Sequence, residues 1–215
     1  MKIKYAIFDL DGTLLDSMHI WENMGKTFLK SHNITPEPNL QEVLRPLSVA
    51  DAAAYLKKNY GLDLDEKQIA EQIFYLAEKE YRENIPLKPR VADYLKKLRD
   101  QGAKMCVATA SDHDTTKEVL DRLGILPYFE FIITSPEVGC GKESPKIYQM
   151  AAQRLGCDPR EVVIFEDALH CIKTAKEAGF YVVGVGDKSA EQEKAAIESM
   201  CDCYINSFDE MEAIQ

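Results

Sequence analysis

The chain has 215 residues, of which 46% are hydrophobic and 29% charged, and its formal net charge at pH 7 is −10. This composition is typical of a globular protein with one core domain, or with a core domain that carries a smaller insert. The acidic balance argues against a nucleic-acid partner, because no basic stripe is present to neutralise phosphates. No apolar run is long enough to cross a bilayer, and the segment MKIKYAIFDL lacks a secretory signal pattern. We therefore expect no membrane association and a cytoplasmic location.

The first predicted element is a strand, because the run YAIF is apolar and leads directly into Asp9-Leu10-Asp11-Gly12-Thr13. Side chains alternate along an extended chain, so Asp9 and Asp11 can face the same site. An EF-hand loop also begins with D-x-D, but it requires glycine at its sixth position, whereas Gly12 is the fourth residue here. The sequence therefore favours two carboxylates that serve a site other than an EF-hand.

Residues 17–87 have a different pattern from the rest of the chain. Apolar residues recur there at helical spacing, as in Trp21, Met24 and Phe28, and again in Ile69 and Ile73. Strand-like runs are absent from this segment. We expect an all-helical insert over residues 17–87, which interrupts a core formed by residues 1–16 and 88–215.

From Lys88 onward, short apolar strands alternate with amphipathic helices, which predicts βαβ units and a parallel sheet. The predicted strands are AKMCVATA, FEFIIT, EVVIFED, FYVVGVG and CYINS. Ser144 and Pro145 are placed to be the N-cap and first residue of a helix that ends at Gly156. The predicted fold class is α/β, with a Rossmann-like, doubly wound parallel sheet and an inserted helical domain.

Polar residues also follow the later strands of this series. They are Thr109-Ala110-Ser111, Lys142 in VGCGKESPKIY, and Glu166-Asp167 after VVIF. The carboxyl edge of an open parallel sheet is where ligands bind, so these groups are expected to meet there. Carboxylates, a hydroxyl group and a lysine at successive strand ends indicate a Mg²⁺-dependent site for phosphoryl transfer, with a carboxylate as nucleophile.

Four segments carry a resemblance to a known family. DLDGTLLDS, VATAS, GKESPKIY and VIFEDALHCIKTAKEAG resemble the four ordered motifs of the haloacid dehalogenase-like phosphohydrolases, and the helical insert resembles their C1 cap. The chain is similar to the phosphoglycolate phosphatase and β-phosphoglucomutase types over essentially its whole length. The resemblance implies a phosphatase that hydrolyses a small phosphorylated metabolite through an aspartyl-phosphate, with Mg²⁺ as cofactor.

The resemblance also implies roles for individual residues. Asp9 would be the nucleophile and Asp11 the general acid and base. The phosphate would be bound by Leu10, Thr109, Ala110 and Lys142, of which Thr109 and Lys142 also count as catalytic. The metal would be held by Asp9, the backbone carbonyl of Asp11 and Asp167, with Glu166 acting indirectly or through water. Lys146 stands where the family often has an aspartate in the third motif, which leaves its local pairing open.

Substrate specificity is expected to come from the helical insert. Trp21, Arg45 and Ser48 are the candidates for facing the substrate; packing or solvated-loop roles for them remain open.

Asp11 argues against a dehalogenase, which does not need this acid and base. A β-phosphoglucomutase-like transferase stays open, although Trp21 and Val49 occupy the positions where such mutases have a histidine and an arginine. A regulatory module without turnover is disfavoured. We expect a small-molecule partner and a monomer.

Overall fold

The computed structural model describes residues 2–44 and 47–211. The strands and helices of the described chain are, in order, β1 (Tyr5–Phe8), α1 (Met18–Ser31), α2 (Leu40–Leu44), α3 (Val49–Tyr60), α4 (Glu66–Glu83), α5 (Val91–Asp100), β2 (Lys104–Thr109), α6 (His113–Arg122), β3 (Phe131–Thr134), α7 (Ser135–Val138), α8 (Lys146–Leu155), β4 (Val162–Glu166), α9 (Leu169–Glu177), β5 (Tyr181–Val185), α10 (Lys194–Met200) and β6 (Cys203–Ile205).

The chain divides into two compact units. The α/β unit comprises Met1–Asp16 and Ile85–Gln215, and the helical unit comprises Ser17–Asn84. The helical insert was predicted from the sequence to end at Leu87, whereas residues 85–87 belong to the α/β unit. The reason is local hydrogen bonding: the Asp16 amide donates to the Pro86 carbonyl at 3.1 Å, and Leu15 forms an isolated antiparallel bridge with Leu87.

The α/β unit contains a six-stranded sheet in the order β3-β2-β1-β4-β5-β6, and every strand pair is parallel. The predicted Rossmann-like, doubly wound class is therefore confirmed. The direction of winding reverses between β1 and β4, which makes their carboxyl ends the expected ligand-binding crevice. The strands are apolar runs without polar alternation, because helices cover both faces of the sheet.

Alternation along β1 and β4 divides the core between the two faces. Ile7 and Ile164 belong to a buried cluster that includes side chains of α8, α9 and α10. Phe8 and Phe165 point to the opposite face, where their rings stack with centroids 4.5 Å apart. Tyr94 of α5 packs edge-on against Phe165 at 5.8 Å. Helices thus anchor both central strands, and the residues that follow these strands are held firmly.

One helix start differs from the prediction. α8 begins at Lys146 with Pro145 as its N-cap, one residue later than expected. Before α10, the chain forms a 3₁₀ turn over Lys188–Glu193. The side chain of Asp187 accepts a hydrogen bond from the Ser189 amide at 2.9 Å, which stabilises this tighter turn.

The helical unit consists of α1 to α4, and its buried residues are those of the predicted stripes, such as Phe28 on α1 and Ile69 on α4. Asp65 and Gln68 form a reciprocal capping box at the start of α4. A mostly apolar pocket of about 190 Å³ lies within the unit, next to Trp21 and Met24. In the part of the chain that is described, no helix has the length and apolar character required to span a membrane.

Candidate active site

Asp9 and Glu166 are brought together by the pairing of the two central strands. Phe8 is in register with Phe165, and the Asp9 amide donates to the Phe165 carbonyl at 3.0 Å. The next residue along the chain is Asp9 after Phe8 and Glu166 after Phe165, and both are buried. The two carboxylates therefore lie side by side at the point where the sheet reverses its winding.

A tight loop follows Asp9. The amides of Leu14 and Leu15 both donate to the Leu10 carbonyl at 2.9 Å, and the Gly12 amide donates to the Leu15 carbonyl at 3.0 Å. Gly12 has a φ of 80°, a left-handed conformation that suits glycine and strains other residues. The loop turns the chain back on itself directly after Asp11, so that both acidic residues stay at the edge of the sheet.

The end of β2 contacts the second of these acids. The hydroxyl of Ser111 donates to Asp11 Oδ2 at 2.8 Å, and the Ser111 amide donates to Thr109 Oγ1 at 3.0 Å. Thr109 is buried, whereas Ala110 is exposed. The sequence singled out Thr109 and Ala110 but did not assign Ser111 a role. Its spacing of two residues from Thr109 was the available signal, since such residues lie on the same side of an extended chain.

Lys142 lies between the two central acids. Its side chain is only 5% exposed, and its ammonium group contacts Asp9 Oδ1 and donates to Glu166 Oε1 at 2.7 Å. Burial alone would lower the pKa of Lys142, but the carboxylates of Asp9 and Glu166 raise it above its ordinary value. Lys142 is therefore held as a cation. Lys146 does not need an acidic partner, because its ammonium group donates to the Val138 carbonyl at 2.9 Å.

Asp9, Glu166 and Asp167 form a buried cluster of carboxylates. Each offers one oxygen, and these oxygens lie within 4.8 Å of one another. Burial, followed by the charge of Glu166, raises the pKa of Asp9 from 3.8 to about 7. Burial and the charges of Asp9 and Glu166 also raise the pKa of Asp167 well above its ordinary value. The cluster thus contains more negative charge than Lys142 balances, and its all-oxygen donor set fits a hard divalent cation.

Two further side chains contact this cluster and were not identified from the sequence. The hydroxyl of Tyr148 donates to Glu166 Oε1 at 2.8 Å. The hydroxyl of Thr13 donates to Asp167 Oδ1 at 3.4 Å. Tyr148 lies on the apolar stripe of α8, and this position in the sequence is typical of a packing residue. Thr13 is part of the segment DLDGTLLDS. Because Thr13 is completely buried in the structure, its hydroxyl group requires a hydrogen-bond partner.

The residues expected to select the substrate have contacts within the helical unit. The Trp21 indole N–H donates to the Tyr81 hydroxyl at 3.2 Å. Ser48 is the N-cap of α3: its hydroxyl accepts from the Asp51 amide at 3.2 Å and donates to Asp51 Oδ2 at 2.6 Å. Arg45 lies outside the described residues. The roles of these three residues toward a substrate stay predictions.

Comparison with known proteins identifies the family. Residues 3–179 match the family model described as haloacid dehalogenase-like hydrolase. The chain belongs to this family, and the expectation that it is a hydrolytic enzyme of the haloacid dehalogenase-like type is confirmed.

Two named relatives agree with this assignment, and one solved structure shares the fold. The chain is 30% identical to validoxylamine A 7′-phosphate phosphatase of Streptomyces hygroscopicus subsp. limoneus, covering 85% of each protein. It is 29% identical to hexitol phosphatase A of Escherichia coli K12, covering 86% of this chain and 84% of that protein. The crystal structure of β-phosphoglucomutase from Clostridium difficile superposes with a TM-score of 0.72 at 22% identity, covering 99% of this chain and 96% of that one. At this identity, the structural likeness concerns the fold.

Proposed function

We propose that the protein is a Mg²⁺-dependent phosphatase that hydrolyses a small phosphate monoester through an aspartyl-phosphate on Asp9. The observation that carries the proposal is the contact of Asp9 with Lys142 inside a buried cluster of carboxylates. A second carboxylate, Asp11, lies two residues away and is oriented by Ser111. The names of two relatives, validoxylamine A 7′-phosphate phosphatase and hexitol phosphatase A, support a phosphorylated small molecule as substrate.

In the first half of the reaction, a carboxylate oxygen of Asp9 attacks phosphorus and the ester P–O bond breaks. Asp11 donates its proton to the leaving alkoxide oxygen. In the second half, the Asp11 carboxylate removes a proton from water, and the resulting oxygen attacks phosphorus. The bond between Asp9 and phosphorus breaks, which releases inorganic phosphate and regenerates the Asp9 carboxylate.

Lys142 has two roles in this proposal. Its ammonium group lowers the pKa of Asp9 against the effect of burial, which favours the ionised form that a nucleophile requires, and it balances the charge of the phosphoryl oxygens. Thr109, the Ala110 amide and the Leu10 backbone would orient these oxygens. Mg²⁺, held by Asp9, the Asp11 carbonyl and Asp167 with Glu166 beside them, would supply positive charge to the phosphoryl group.

The test is steady-state release of phosphate from a panel of small phosphomonoesters in the presence of Mg²⁺. The wild-type protein should release phosphate from at least one compound, and Asp9→Asn should abolish this release. Chelation with EDTA should also abolish it, and added Mg²⁺ should restore it. Failure of the wild-type protein to release phosphate from any compound of a broad panel would refute the proposal.

The mutase alternative has a separate test. Incubation with β-glucose 1-phosphate and a bisphosphate primer should give phosphate release or no reaction. Conversion to glucose 6-phosphate without net loss of phosphate would support the mutase instead. A cytoplasmic location and a monomeric state also stay predictions for this protein.

A further inference from the structure

Tyr148 places a polar group deep inside the α/β unit. Its side chain is 1% exposed, and its ring packs edge-on against Phe180 with centroids 6.2 Å apart. This apolar contact accounts for the burial of the ring, but it does not provide a hydrogen-bond partner for the hydroxyl group. The hydroxyl donates to Glu166 Oε1 at 2.8 Å, which is the same oxygen that accepts from Lys142 at 2.7 Å.

The two hydrogen bonds reach Glu166 from adjacent segments of the chain. Lys142 belongs to the loop before α8, and Tyr148 belongs to the first turn of α8 itself. A carboxylate that accepts from one lysine can rotate about that contact, whereas two donors on one oxygen fix its orientation. Neither of these two hydrogen bonds uses the second oxygen of Glu166.

We propose that Tyr148 is a positioning residue of the catalytic site, which acts by fixing Glu166 and, through Glu166, the Lys142 ammonium group beside Asp9. The inference rests on the proposed function and extends it to a residue that does not contact the substrate. Partners that orient the groups around a metal commonly change metal affinity or activity by about 10- to 100-fold when they are removed.

A matched pair of variants separates this role from packing. Tyr148→Phe keeps the ring and removes the hydroxyl that donates to Glu166. Tyr94→Phe makes the same chemical change at a second buried tyrosine, whose hydroxyl has no hydrogen-bond partner in the described structure. Tyr94 packs against Phe165 on the opposite face of the sheet and has no place in the catalytic machinery.

Two quantities are measured on the full chain: the Kd of Mg²⁺ by calorimetry, and kcat with p-nitrophenyl phosphate or a phosphomonoester found by the panel. Tyr148→Phe should weaken Mg²⁺ binding or lower kcat by about tenfold. Tyr94→Phe should leave both unchanged. If the two variants behave alike, Tyr148 only packs and the inference is wrong.

A double-mutant cycle tests whether Tyr148 acts through Glu166. Glu166→Ala removes the acceptor, so adding Tyr148→Phe to it should cause no further loss in Mg²⁺ affinity or kcat. An equal loss in both backgrounds would contradict a positioning role through Glu166. The Mg²⁺ measurement does not depend on turnover. It therefore still tests Tyr148 if no substrate is found, whereas the absence of any phosphate release bears on the proposed function alone.

Discussion

Asp9 follows β1, Glu166 is the last residue of the neighbouring parallel strand β4, and both contact the same ammonium group, that of Lys142. This relationship puts one cation between two buried carboxylates, with the carboxylate of Asp167 close by. The site is therefore short of positive charge before any substrate arrives. A divalent cation would relieve this shortage.

Lys142→Met should destabilise the protein, because it keeps the aliphatic stem but leaves Asp9 and Glu166 without the cation they share. We expect the free energy of unfolding to fall by about 3 kcal/mol at pH 7.5 in EDTA, as when one partner of a buried ion pair is removed. Mg²⁺ should recover part of this loss. Urea unfolding with and without Mg²⁺ measures both effects.

Lys173→Met is the control for this change, because Lys173 is 60% exposed and forms only a surface ion pair with Glu177 at 3.9 Å. It should change stability by less than about 0.5 kcal/mol. If Lys142→Met is as stable as the control in EDTA, the charge deficit that we infer for the site is wrong.

Asp11→Asn should separate metal binding from proton transfer. The side chain of Asp11 is assigned to moving protons, and only its backbone carbonyl is assigned to the metal. We therefore expect kcat to fall by about 10²- to 10⁴-fold while the Kd of Mg²⁺ stays the same. Asp114→Asn, at a side chain that is 92% exposed, serves as the control and should change neither quantity. An Asp11→Asn protein that hydrolyses at the wild-type rate would overturn the assignment.

Gly12→Ala should reduce both stability and activity. Gly12 has a φ of 80°, and alanine in this left-handed conformation costs about 1–2 kcal/mol. Gly102 has nearly the same φ, 81°, and an added Cβ there would meet no heavy atom within 4 Å. Gly102→Ala should therefore lose similar stability but keep full kcat, because it is remote from the loop that carries Asp11. Equal kcat values for the two variants would show that the conformation of Gly12 does not matter to the site.

The buried pair of Lys88 and Asp187 predicts a pH dependence of stability. Lys88 Nζ lies 2.8 Å from Asp187 Oδ2, and the two side chains are 11% and 6% exposed. Burial alone would raise the pKa of Asp187, but hydrogen bonds from Lys88 and Ser189 lower it below 3.8. The folded-state pKa is thus below the unfolded one. The resulting stabilisation is complete above the unfolded pKa and disappears as the pH falls through the folded value.

Asp187→Asn should accordingly be less stable than the wild type at pH 7. The difference should shrink as the pH falls below about 4, where the unfolded aspartate takes up its proton. Urea unfolding at pH 7, 5, 4 and 3 measures this difference, with Asp114→Asn as the exposed control. A difference that stays constant from pH 7 to pH 3 would contradict the proposed electrostatic origin.

The sequence was sufficient to predict the sheet and the groups that follow its strands. Hydrophobic runs in βαβ order specify parallel strands, so Asp9 and Glu166 had to reach one edge whichever strands were neighbours. The order of the strands in the sheet could not be predicted in this way. Phe8 is in register with Phe165 because of packing on both faces of the sheet, and neither strand sequence specifies this pairing.

The supporting contacts were harder to predict for the same reason. Ser111 and Asp11 are 100 positions apart, and Tyr148 and Glu166 are 18 apart, so no local pattern joins them. A tyrosine on an apolar helix face looks like a packing residue until the partner of its hydroxyl is seen. Lys146 could not be paired from sequence because its partner is a backbone carbonyl, that of Val138.

The α/β unit is built from two chain segments that flank the helical unit, and this arrangement has a consequence for folding. β1 lies between β2 and β4, so it pairs with residues that are synthesised roughly 100 and 160 positions later. Such distant pairing carries an entropic cost of loop closure, which slows folding. The apolar segment YAIF is synthesised before both of its partner strands, and its pairing with β4 cannot form until Val162–Glu166 has been made. The strand that precedes Asp9 is thus made before its two neighbours, and its pairing is completed only when the second of them is available.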